Sequence, residues 1–178
     1  MESKVKLLGH PIHPMLIVLP LGLLSAAVLF DVVYLVTNDQ VFSNIAYWNM
    51  ALGIVGGLLA AVFGLLDWLN IPGGTRAKRI GLLHGGGNVV VVTLFAISWL
   101  MRLNAAGYEP SGLAYVFSFA GLALAAVTGW LGGELVDRLG VGVDDGANVD
   151  ASSSLTGEPA ARTTASGGSP QAIRHPRR

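Results

Sequence analysis

Three of the four histidines, His10, His13 and His84, stand at the openings of long apolar runs. Two carboxylates, Asp67 and Glu134, stand where other such runs close. Neutral imidazole is the commonest metal ligand among side chains and also the axial ligand of many haem irons. Imidazole combined with carboxylate suits zinc, non-haem iron or manganese. Two chemistries are therefore open to these residues. In one, haem b takes axial ligands from His10 or His13 on one side and His84 on the other, with Asn88 beside them. In the other, a divalent metal is held by His13, His84, Asp67 and Glu134. Cysteine is absent, which removes disulfides, thiolate metal sites, cysteine nucleophiles and iron–sulfur ligation by this chain. Ser25, Ser43 and Ser98 have no histidine base at matching depth, and no phosphate-binding glycine loop follows a strand. With no hydrolase or transferase motif, the chain reads as a component of a larger system rather than a stand-alone enzyme.

The elements that must position these residues are membrane helices. Of 178 residues, 52% are hydrophobic and only 12% charged, and the mean hydropathy is +0.59. A soluble chain carries about a quarter charged residues. Four stretches, about 15–36, 46–69, 80–103 and 113–136, reach the roughly 20 residues needed to cross a bilayer. Short connections with turn residues, "TNDQ", "NIPGGTRAK" and "NAAGYEPSG", predict an all-α, antiparallel four-helix bundle integral to the membrane over residues 1–138. Trp48, Trp68, Trp99, Tyr108, Tyr115 and Trp130 fall near span ends, as in an interfacial belt. The first span is expected to be a retained helix, because Asp31 and Tyr34 close it without a small-residue cleavage site.

Basic residues set the orientation. Lys4, Lys6, Arg76, Lys78, Arg79 and Arg138 fall on one side and Arg102 alone on the other. The positive-inside bias predicts a multi-pass protein of the cell membrane with both termini cytoplasmic. Net charge is zero and the folded part has no basic run, so nucleic acid is not an expected partner; the lipid bilayer is. Residues 139–178 hold few large apolar side chains and are expected to form a disordered cytoplasmic tail, with His175 solvated in it. Its end, "RHPRR", could touch anionic lipid.

The polar residues of the spans gather at one end. His10, His13, Asp67, His84, Asn88, Glu134 and Asp137 all fall on the cytoplasmic side, with Asp31 apart in the first span. Ionisable residues in a membrane are costly and count as functional candidates. Asp67 continues a stripe of small residues, Gly53, Gly57, Ala60 and Gly64, that lets helix backbones approach. His84 and Asn88, four apart, share a helix face, with Gly85, Gly86 and Gly87 between them. In the fourth span, Glu134 lies off the stripe of Gly121, Ala125, Gly129 and Gly132. His10 and His13 each precede proline, which pushes them to extended geometry, outside any regular helix, and stiffens the approach to the first span. Pro14 suits the first helical turn, and Pro20 is expected to kink that helix. Asp31 either pairs across the bundle or snorkels outward. A loose duplication is visible as well: 54 residues separate His13 from Asp67, and 50 separate His84 from Glu134. It implies two hairpins related by an axis along the membrane normal.

"GHPIHPMLIVLPLGLL…FDVVY", with "GLLDW", "LLHGGGN" and "GWLGGELV" in the following helices, resembles the bacterial membrane-protein family named domain of unknown function 2231, over roughly residues 7 to 138. The resemblance implies four helices and a membrane location. It supplies no settled activity, although some relatives are joined to Rieske-type or cytochrome domains, an association that leans toward electron transfer and a membrane redox partner. Beside the haem and metal readings stand two others. One is a proton or ion transporter subunit with a path through Asp67, His84 and Asp31, which so few helices could supply only as a homo-oligomer. The other is a cofactor-free membrane scaffold, in which polar residues and small-residue stripes act as packing glue.

Overall fold

Proline, glycine and short polar residues mark where this apolar chain turns, and each turn is capped from its own sequence. In a computed structural model the described residues are 1–161; His175 and the basic end of the tail lie outside them. A two-residue strand pair comes first, β1 (Lys6–Leu7) against β2 (His10–Pro11). Leu8 and Gly9, both at positive φ, make the tight turn between them. Then follow α1 (Ile12–Leu16), α2 (Val18–Thr37), α3 (Gln40–Asn70), α4 (Arg76–Arg102) and α5 (Gly112–Gly133). α5 runs on into one π-helical turn, Glu134–Arg138. Asp39, Thr75 and Ser111 cap α3, α4 and α5 by accepting backbone N–H bonds, as short polar side chains do at helix starts. Asn38 in the left-handed conformation ends α2. Four helical stretches, Ile12–Thr37, Gln40–Asn70, Arg76–Arg102 and Gly112–Arg138, are long and apolar enough to cross a membrane.

One expectation about the first helix changes, and the kink expected from Pro20 is present. His13 lies inside α1, not in an extended segment. Pro14 falls in the first turn of α1, where its missing N–H takes no partner from the helix, so the residue before it can stay helical. The break comes later, at Ile17. Pro20 cannot donate to the Leu16 carbonyl, and its ring crowds that oxygen, so the chain turns there and resumes as α2.

The helices pack in chain order around a square, α2 on α3, α3 on α4, α4 on α5, with α5 closing on α2. Leu24, Ala27, Val28, Met50, Val91 and Phe95 fill the centre. Leucines and valines such as Leu21, Leu58, Val62, Leu83 and Val127 face outward, as lipid requires.

The duplication is present in sharper form than the carboxylates suggested. A Cβ at Gly53 would stand 2.6 Å from Leu24, and one at Gly121 would stand 2.9 Å from Phe95. The same holds at 2.8 Å between Gly64 and His13, and at 3.1 Å between Gly132 and His84. His13 and His84 are 71 residues apart, as are Leu24 and Phe95; Gly53 and Gly121 are 68 apart, as are Gly64 and Gly132. α1–α3 and α4–α5 are thus two copies of one hairpin around a pseudo-twofold axis. Asp67 and Glu134 are not counterparts, because their spacing is 67.

Among the described residues, the polar stretch after Arg138 contributes no buried residue. Residues 139–161 nonetheless follow a defined path against the strand pair. The Met1 amino group donates to Gly140 O, the Gly142 N–H donates to Met1 O, and Ser154 Oγ donates to Leu8 O. Lys6 Nζ meets Asp144 at 2.5 Å and Glu2 at 3.0 Å.

Candidate functional site

His13 is carried on α1 and His84 on the first turns of α4, so the pseudo-twofold axis brings the two rings face to edge. Their centroids are 6.4 Å apart and their planes perpendicular. His13 Nδ1 lies 2.8 Å from Ala60 O, and His84 Nδ1 lies 2.8 Å from Thr128 O. A carbonyl only accepts, so each Nδ1 carries the proton and each Nε2 keeps its lone pair. These bonds come from the second helix of the same hairpin, at equivalent positions 68 residues apart. Gly64 and Gly132, one turn further along, leave the space each ring fills.

Around the axis the two halves differ. Asn88 Nδ2 donates to His84 O at 2.9 Å and reaches His84 Nε2 at 3.3 Å. Thr128 Oγ1 donates to Asn88 Oδ1 at 3.0 Å. The residue four after His13 is Ile17 and carries no such group. His84 is therefore held on both edges and His13 on one.

The other expected site residues are engaged elsewhere. His10 is exposed on β2, with its Nε2 3.3 Å from Ser154 Oγ. Asp67 accepts from Ser3 Oγ at 2.5 Å. Glu134 pairs with Arg76 at 2.7 Å and reaches Arg138 at 4.0 Å. Among the described residues, no cluster of three or more His, Cys, Asp or Glu side chains stands ready to hold a metal.

A second polar centre, at the far end of the bundle, was only half visible in the sequence. Asp31 pairs across the bundle with Arg102, whose guanidinium donates to both carboxylate oxygens at 2.6 and 2.7 Å. Both side chains are fully buried. Ser98 Oγ accepts from Arg102, and Ser118 Oγ donates to Asp31. Arg102, which charge counting assigns to the outer side, closes α4 inside the bundle. The signal for it was present: Asp31 follows His13 by 18 residues, and Arg102 follows His84 by 18. Ala60 and Thr128, which anchor the rings through their carbonyls, gave no side-chain signal at all.

The family described as Predicted membrane protein (DUF2231) matches residues 9–145, more than half of the chain. This chain belongs to the DUF2231 family. The match opens at the Gly9 turn, takes in both hairpins, and ends at Asp145 beside the Lys6 partner Asp144. No curated protein and no solved structure matches. This DUF2231 member is thus a membrane protein with four candidate spans, and its activity must be argued from its own residues.

Proposed function

We propose that this DUF2231 protein is an electron-transfer component of the cell membrane that binds haem b through His13 and His84. The observation that carries the proposal is the matched pair of rings: both Nδ1–H groups are bound to carbonyls, the His84 Nε2 meets only the Asn88 amide at 3.3 Å, which a ligand would displace, and the centroids are 6.4 Å apart. His13 and His84 would hold the iron of the haem, and the group would supply one-electron redox chemistry. The donor set favours haem over a bare ion. Asp67 and Glu134 are bonded elsewhere, so the protein offers two ligands here, whereas a bare zinc takes three or four from protein. A porphyrin brings four nitrogens of its own and asks the protein for axial ligands alone.

The transport reading has less support. Between the histidine pair and the Asp31–Arg102 pair lies a packed apolar layer that includes Leu24, Val28, Val91 and Phe95. A proton or ion path needs polar groups or water along that length. For orientation, both termini belong on the cytoplasmic side. Arg102 is neutralised in the bundle, so no free basic residue remains in the first and third connections.

The test is a visible spectrum of the protein purified in mild detergent from haem-replete cells, oxidised and then reduced with dithionite. A Soret band with sharp reduced α and β bands, lost in His84→Ala, is the expected result. A well-folded protein that stays colourless after expression with added haem precursor overturns the proposal. Elemental content of the same sample then reports any colourless metal.

A further inference from the structure

We infer that the Asp31–Arg102 pair decides which hairpin pairs with which: each hairpin's axial face fits the other hairpin and rejects its own copy. Counterpart residues of two pseudo-equivalent hairpins can touch only where the twofold axis passes between them. His13 and His84 are such counterparts, and so are Asp31 and Arg102, each pair 71 residues apart. If two first hairpins from separate copies paired about this axis, the same geometry would set Asp31 against Asp31. Two second hairpins would set Arg102 against Arg102. The histidines do not discriminate, because every pairing brings imidazole to imidazole; Leu24 and Phe95 differ in size but carry no charge. At the Asp31–Arg102 position the halves are opposite in charge.

The setting makes that difference large. Both side chains are fully buried, with two direct bonds between them and one serine hydroxyl bonded to each partner. Like charges confined there would lack both water and counter-charge. A buried polar contact that specifies partner and register is the best-attested use of such pairs, and a repulsive element against the wrong partner is how close alternatives are excluded.

Charge variants of the full chain test the inference. Arg102→Asp sets two carboxylates on the axis, as two first hairpins would; Asp31→Arg sets two guanidinium groups there, as two second hairpins would. The readout is the amount of wild-type-sized species extracted from membranes in mild detergent. Each single variant should lose it at least tenfold, and the double variant Asp31→Arg/Arg102→Asp should return to within about threefold of wild type. Either single variant accumulating at the wild-type level, or a double variant no better than the singles, overturns the inference. None of these outcomes depends on whether haem binds.

Discussion

His84 Nδ1 and the Thr128 carbonyl oxygen are 2.8 Å apart, the same separation that joins His13 to Ala60 in the other hairpin. Such bonds fix ring orientation and tautomer together, which is what second partners of ligating histidines do. They leave both imidazoles aimed by backbone carbonyls, with the Asn88 amide at the second edge of His84 alone.

Of the two histidines before the first span, only His13 belongs to the pair. His10→Ala should leave the reduced α band of the purified protein unchanged, whereas His13→Ala should abolish it. Equal loss in both variants would sink the assignment of His13 as the ligand.

Gly64→Ala should displace the His13 ring, because the new methyl would lie 2.8 Å from its Cε1. An off-rotamer side chain costs on the order of 0.5–1.5 kcal/mol, so haem affinity should fall by roughly two- to twelvefold in a hemin titration. Gly132→Ala, at 3.1 Å from His84, should have the smaller effect. The thermal midpoint of the apo protein reports whether the bundle itself has changed.

The contact between residues 139–161 and the strand pair should depend on pH and salt. The Lys6 ammonium holds the Glu2 carboxyl below its usual 4.5, and the Asp144 carboxylate, with Glu2, holds Lys6 above its usual 10.5. Glu2 therefore contributes above pH 4.5, and its contribution is lost as pH falls through its lowered value. Lys6 contributes below pH 10.5, and that is lost as pH rises through its raised value. Glu2 is exposed and Lys6 and Asp144 are half-buried at the surface, so salt screens them. Protease cleavage within 139–161 should rise at both extremes, at high ionic strength, and in Lys6→Gln at neutral pH. Cleavage unchanged by all three would show the ion pairs to be idle.

Phe95 is fully buried against Gly121 at the centre of the bundle. Phe95→Ala should leave a cavity and lower stability by about 3–5 kcal/mol, read as a drop in thermal midpoint in detergent. Leu83→Ala on the lipid face serves as the control and should change it little, since Leu83 packs against lipid.

Number of spans, their antiparallel order and the polar gathering at one end follow from local facts in the chain. About twenty apolar residues must cross as helix because lipid offers no partner for backbone groups. Asn38 and Pro72 mark where two of those helices stop, and the "EPSG" stretch marks where the last one starts. That His84 and Asn88 share a face follows from helical period alone.

Which of the polar residues meet was decided by tertiary structure. Asp67 and Glu134 have the same chemistry as other carboxylate ligands and lie at the right depth, but each faces its own partner, Ser3 or Arg76. Arg102 sits at a span end where either loop or bundle is consistent with composition; only the packing of α4 against α3 and α5, diagonal to α2, puts it on Asp31. The ring-anchoring carbonyls of Ala60 and Thr128 belong to the backbone, which every residue shares, so no residue type could announce them. Period and hydropathy act within one segment and are legible in sequence. Contacts across a pseudo-twofold axis depend on how two segments are rotated about their own axes, and only their mutual packing sets that.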